Sequence, residues 1–156
     1  MKRGVVSIIE INKVTQDKKQ YLDLLLLADE QEDMIDRYLE RGEMFALVDD
    51  GQVRSIAVVT EEDAQTCELK NLATREEDQG KGYGRAMVQH LFAYYKGRYQ
   101  KMLVGTGDSP LTIPFYEKCG FRYSHRLKNF FTDHYDHPIF EAGKQLVDML
   151  YFQKEL

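Results

Sequence analysis

The hexapeptide Gln79-Gly80-Lys81-Gly82-Tyr83-Gly84 joins an apolar segment, Cys67 to Thr74, to a stretch where Ala86, Met87, Val88, Leu91, Phe92 and Tyr95 recur at helical spacing. A strand that feeds a helix through such a loop aims several backbone N–H groups at one point. The positive end of the helix dipole lies at the same point, so the loop can seat an anion. Glycine suits this task because a side chain would hold phosphate oxygens away from the backbone. A P-loop would need glycine where Arg75 stands and Ser or Thr where Gly82 stands, which excludes it. A dinucleotide loop would need a third glycine where Arg85 stands, and it would sit in the first unit of the chain. A glycine-rich helix start without any ligand is the plain alternative.

The other chemistry-bearing side chains gather less clearly. His134 and His137 are two residues apart with Pro138 behind them, so no helix holds both on one face, and no cysteine lies near. No metal site is expected. His90 and His125 read as structural. Cys67 and Cys119, the two cysteines, each fall in a regular element and read as buried thiols of a reducing compartment. A net charge of -5 gives nucleic-acid binding no electrostatic support and is compatible with a cationic amine. With 43% apolar and 30% charged residues, the composition is that of a soluble globular protein. A chain of 156 residues buries roughly 70% of its unfolded surface, enough for one core. The N-terminus carries no long apolar run, and Leu24 to Leu27 is too short to span a bilayer, so no membrane association and a cytoplasmic location are expected.

These residues need elements to position them. Val5 to Val14 reads as a first strand. Thr15-Gln16-Asp17 starts a helix through Tyr21, Leu22, Leu24, Leu25 and Ala28, and a second carries Met34, Ile35, Tyr38 and Leu39 to a stop at Gly42. Phe45 to Val48 and Val53 to Thr60 form a hairpin across Asp49-Asp50-Gly51. Glu61-Glu62-Asp63 reads as a solvated loop before the strand at Cys67, and Met102-Leu103-Val104 as a further strand. Ser109 to Phe121 holds a short helix ended by Gly120. Phe130-Phe131 and Val147 to Phe152 read as a closing antiparallel pair. No repeat or linker interrupts the chain, so residues 1–156 are expected to form one domain of mixed α/β order, with helices on both faces of one sheet.

The hexapeptide fits Gln/Arg-x-x-Gly-x-Gly/Ala at every fixed position, and Phe115-Tyr116-Glu117-Lys118-Cys119-Gly120-Phe121 fits Phe-Tyr-x-Lys-x-Gly-Phe. In both, and in element order, the chain resembles the GNAT superfamily of acetyl-CoA-dependent N-acetyltransferases. The resemblance implies a central mixed, mostly antiparallel sheet flanked by helices. It also implies transfer of acetyl from acetyl-CoA to a primary amine by direct attack in a ternary complex. A small amine is the expected acceptor; a peptide or protein amine, or a non-catalytic acyl-CoA-sensing domain, are the alternatives.

Residue by residue, the resemblance gives Gln79, Gly80, Lys81, Gly82, Tyr83, Gly84 and Arg85 to the pyrophosphate. It gives the backbone of Leu72 to the thioester oxygen and that of Ala73 and Thr74 to the pantetheine arm, with a bulge near Asn71. Ser109 stands where many members carry an arm-contacting Asn. Only on the order of one amine in a thousand is free base at pH 7, and the resemblance nominates Glu68, eleven residues before Gln79, as the base. Strand alternation pairs Glu68 with Lys70 on one face, a pattern that a solvent-facing glutamate would equally satisfy. Tyr116 matches the tyrosine that protonates the leaving sulfur; a core aromatic between Phe115 and Phe121 would read the same. Glu76-Glu77-Asp78 is expected to face solvent. The acceptor region implied is Tyr21 to Leu39, with its acidic Asp29, Glu30, Glu32 and Asp33, together with Phe130 to Phe140. Exposed strand edges near the C-terminus are compatible with a homodimer.

Overall fold

The computed structural model describes residues 8–156. Strand β1 (Ile9–Val14) is followed by a 3-10 turn (Lys18–Tyr21), helices α1 (Leu22–Ala28) and α2 (Glu32–Ile35), and strands β2 (Glu43–Asp49), β3 (Gln52–Asp63) and β4 (Thr66–Thr74). A 3-10 turn (Glu76–Asp78) leads to α3 (Tyr83–Tyr95), β5 (Lys101–Thr106), α4 (Ile113–Lys118), β6 (Arg122–Leu127) and α5 (Phe130–His134). Strands β7 (Ile139–Glu141), β8 (Lys144–Leu146) and β9 (Met149–Glu155) complete the chain. Seven strands form one sheet in the order β1-β2-β3-β4-β5-β9-β6, and β7 and β8 pair separately. Residues 5–7 of the expected first strand lie outside the described residues; β1 occupies Ile9–Val14 of the remainder. Two compact units divide the chain, one of residues up to Val58 with Asn71–His90, the other of Val59–Lys70 with Leu91–Leu156.

In the first unit β1 runs antiparallel to β2, from Ile9 opposite Asp49 to Val14 opposite Met44. Asp50 and Gly51 take positive φ of 54° and 73°, the two left-handed residues of a tight hairpin turn, as the Asp-Gly pair predicts. Alternation along β2 sorts its side chains between two layers. Met44 and Ala46 join Leu24, Leu25, Ile35, Tyr38, Leu39, Ile56, Val58 and Ala73 in a core under α1 and α2. Phe45 turns the other way and meets His90 of α3 edge-on at 6.0 Å between ring centroids. Helices therefore cover both faces, as expected. The second helix is shorter than its apolar spacing predicts: α2 stops at Ile35, and single turns such as Gly42 N–H to Tyr38 C=O carry the chain onward.

In the second unit β5 lies parallel to β4 and antiparallel to β9, which in turn pairs antiparallel with β6. Cys67, Leu69, Met102, Val104, Leu150 and Phe152 are buried from these strands, and Phe92 of α3 meets Phe121 at 5.4 Å. Gly120, at φ 107°, lets the chain leave α4 in a conformation other residues resist.

Two expectations are corrected. Glu61 to Asp63 is not a loop but the exposed end of β3, because the turn onto β4 comes later, where Asp63 accepts the Gln65 N–H at 2.8 Å. Phe130-Phe131 does not pair with β9. Asn129 sits at φ 58° and its N–H is held by Asp148 at 2.9 Å, which turns the chain into α5. Phe131 there buries against Ile139 and Leu146 of the small hairpin. The antiparallel partners of β9 are β5 and β6, and β6 is one edge of the sheet.

Leu24 is fully buried in the first core. Leu24→Ala is expected to lower unfolding free energy by about 2–5 kcal/mol, read as a shifted urea midpoint with an unchanged slope.

Candidate functional site

The first unit builds the loop. Gly80 and Gly82 take φ of 80° and 89°, and a Cβ added at either would meet nothing within 4 Å. Glycine is therefore required by backbone conformation and not by crowding, and the space beside it is open. The first bond of α3 runs from the Ala86 N–H to the Gly82 carbonyl at 3.0 Å. The N–H groups of Tyr83, Gly84 and Arg85 precede it, so the helix supplies them no acceptor. Three side chains pin the loop. Gln79 Nε2 donates to the Thr74 carbonyl at 3.2 Å, closing the loop onto the end of β4. Tyr83 donates its hydroxyl to Asp49 Oδ2 at 2.5 Å. Asp78 is buried and takes Arg54 Nη1 at 3.4 Å and Lys81 Nζ at 3.3 Å.

Asp78 corrects the solvent-facing assignment of Glu76-Glu77-Asp78. The two glutamates are exposed, but the short 3-10 turn carries Asp78 inward to the Arg54 guanidinium. Lys81 consequently points part of its charge at Asp78. Arg85 is exposed. On β4, the Ala73 carbonyl accepts the Ser55 hydroxyl at 2.9 Å, and Leu72 is half-buried.

The second unit holds the acid–base candidates. Glu68 is 6% exposed, so it is not a solvent-facing strand residue. Its Oε1 lies 3.2 Å from Lys70 Nζ, and its Oε2 accepts from the Tyr151 hydroxyl at 3.3 Å. Burial pushes its pKa above the usual carboxylate range, Lys70 pulls it partly back, Glu62 adds to the rise and Tyr151 opposes it. The β4/β5 ladder ends at Leu69 opposite Val104, so Leu72, Ala73 and Thr74 lie beyond its last residue pair.

Tyr116 is buried on α4, edge-on to Phe115 at 5.2 Å and to Phe121 at 5.7 Å between centroids. Its ring is thus the core aromatic that the sequence allowed, yet its hydroxyl makes no hydrogen bond to any described residue. Burial raises its pKa well above the ordinary phenol range. Ser109 is fully buried and its Oγ accepts the Leu111 N–H at 3.1 Å, a turn-capping role that leaves the hydroxyl proton to donate. Tyr151 was missed by sequence reasoning, which took Val147 to Phe152 only as an apolar strand. Alternation along that run separates Tyr151 from Leu150 and Phe152 and was the available signal. Among the described residues no group of three or more His, Cys, Asp or Glu is placed to hold a metal. No helix among them is long and apolar enough to cross a membrane.

A carboxyl whose folded pKa is raised stabilises the fold relative to its charged form only at low pH. That contribution is complete below the unfolded value and is lost as pH rises through the folded one. Glu68→Gln is therefore expected to be more stable than the wild type at pH 7, with the difference closing towards pH 4, in urea unfolding at both pH values.

Comparison with known proteins follows the same lines. A family model described as an acetyltransferase (GNAT) domain matches residues 40–123. YvbK of Bacillus subtilis (strain 168), described as an uncharacterized N-acetyltransferase, is 38% identical over 146 residues, covering 91% of this chain and 92% of that protein. The crystal structure of a GNAT family acetyltransferase from Elizabethkingia anophelis with acetyl-CoA bound superposes with a TM-score of 0.90 at 35% identity, covering 95% of this chain and 98% of the other. An IAA acetyltransferase from Bacillus cereus ATCC 14579 gives 0.87 at 34% identity, covering 96% of this chain and all (100%) of its own.

Proposed function

We propose that this chain, which belongs to the GNAT family of acetyltransferases, moves an acetyl group from acetyl-CoA to the primary amine of a small molecule. The observation that carries the reading is the burial of Glu68, a carboxyl whose affinity for a proton is raised towards that needed by a base at neutral pH. The loop suits a pyrophosphate on its own geometry, with open space at Gly80 and Gly82 and, behind them, first-turn N–H groups to which the helix supplies no acceptor. Gln79, Gly80, Lys81, Gly82, Tyr83, Gly84 and Arg85 would hold it, the β4 backbone at Ala73 and Thr74 would pair with the pantetheine arm, and Ser109 would donate its hydroxyl proton to that arm. When bound, acetyl-CoA supplies a thioester that an amine can attack.

Glu68 takes a proton from the acceptor ammonium at a carboxylate oxygen. The Leu72 N–H donates to the carbonyl oxygen as negative charge builds there. Tyr116, kept protonated at neutral pH by burial, gives its phenolic proton to the departing sulfur. Neither cysteine offers a covalent route. Cys67 is fully buried with its thiol pushed up to about 12, and Cys119 is buried on the end of α4. Both favour direct transfer in a ternary complex. A cleft of about 210 Å³ is lined by Phe131, Tyr135, His137, Ile139 and Leu146, beside the acceptor stretch Phe130 to Phe140 that the family resemblance implies.

Thiol release from acetyl-CoA, followed against polyamines, aminosugars, amino acids, peptides and IAA, tests the reading. Turnover is expected with one class of small amine. Glu68→Gln should lower kcat by about 10²–10⁴-fold, and Tyr116→Phe by about tenfold or more, with little change in acetyl-CoA binding. Wild-type turnover in Glu68→Gln would remove the assignment of the base. Gly82→Ala, which must hold a side chain at φ 89°, is expected to weaken CoA binding about tenfold by calorimetry without unfolding the protein.

A further inference from the structure

Residue pairing across the second unit places Tyr151 on the same sheet face as Glu68. Glu68 stands opposite Leu103 and Leu103 opposite Gln153, while Tyr151, two residues before Gln153, stands opposite Gly105. The Tyr151 ring lies between two cross-strand neighbours. On the β5 side Gly105 leaves the ring its seat, since a Cβ there would come within 3.1 Å of Cε1 and Cζ and within 2.8 Å of the Met149 sulfur. On the β6 side the His125 imidazole stacks on it, 4.9 Å between centroids with the planes 4° apart. His125 is in turn fixed by the contact of its Nδ1 with the Ser124 hydroxyl at 2.9 Å. The ring is buried, and its hydroxyl donates to Glu68 Oε2 at 3.3 Å. Oε1 is engaged by Lys70, so the two carboxylate oxygens have separate partners.

We propose that Tyr151 is a positioning residue for the Glu68 carboxylate, holding it in one rotamer through its hydroxyl and favouring its charged form. The proposal rests on the reading of Glu68 as the base. A base that must be ionised before the amine arrives gains from a donor that stays a donor. Burial and the neighbouring carboxylate keep the Tyr151 phenol protonated through the neutral range. The titratable groups around Glu68 are Lys70 on β4, Glu62 on β3 and Tyr151 on β9, and β5 opposes it with Leu103, which does not titrate. His125 on β6 stacks on the Tyr151 ring. Of these groups Lys70 and Tyr151 favour the carboxylate, and Glu62 opposes it. Loss of the phenol therefore raises the pKa of Glu68.

Glutamate side-chain carboxyls labelled with ¹³C allow that pKa to be read by NMR without substrate, the Glu68 signal being the one absent from Glu68→Gln. In Tyr151→Phe the Glu68 midpoint is expected to rise by about one pH unit. Gly105→Ala, which displaces the ring while keeping the phenol, is expected to move it in the same direction by less, and it serves as the second variant should Tyr151→Phe fail to fold. A Glu68 midpoint equal to the wild type in folded Tyr151→Phe, or in Gly105→Ala if that variant alone folds, overturns the proposal. The two readings fail separately. Full acetyl transfer by Glu68→Gln removes the base and leaves the titration standing, whereas an unmoved titration removes Tyr151 and leaves the base standing.

Discussion

Gly80 and Gly82 place two left-handed residues directly ahead of α3, at φ of 80° and 89°, and the surrounding residues hold that backbone where it is. Gln79 closes it onto Thr74, Tyr83 ties it to Asp49, and the buried Asp78 anchors its approach through Arg54 and Lys81. An anion gains most from donors that are already aimed, because no energy is then lost in turning them as charge arrives. A carboxylate just before such a loop would otherwise repel a phosphate. Flanked by a guanidinium and an ammonium, Asp78 contributes rigidity at little electrostatic cost to the anion.

The strand that enters this loop shows how a sheet separates structure from chemistry. One face of β4 and its neighbours carries Cys67, Leu69, Met102, Val104, Leu150 and Phe152 into the core. The opposite face carries Glu68, Lys70 and Tyr151. Period-two alternation keeps Glu68, Lys70 and Tyr151 off that apolar face. The burial of Glu68 opposes its charge, and Lys70 and Tyr151 offset part of that opposition, leaving a carboxyl that is more basic than usual.

Much of this was legible in the sequence wherever local chemistry decides structure. The Asp-Gly turn, the glycine-spaced helix start and the Gly120 stop each require backbone conformations that few residues tolerate, so residue type reveals them. The pairing of Glu68 with Lys70 on one face followed from alternation. What was not legible depends on contacts distant in sequence. Asp78 turns inward because Arg54, twenty-four residues earlier, meets it. Phe130 and Phe131 look like strand residues until Asp148 captures the Asn129 N–H and starts α5. Tyr151 reaches Glu68 across eighty-three residues, and only the order of β4, β5 and β9 brings them together.

The most direct measurement is the amide spectrum of ¹⁵N-labelled protein titrated with CoA and, separately, with inorganic pyrophosphate. The expected result is that the N–H signals of Gly80 to Gly84 move with CoA and move the same way, more weakly, with pyrophosphate. Saturable CoA binding that leaves those signals in place would contradict the assignment of the loop.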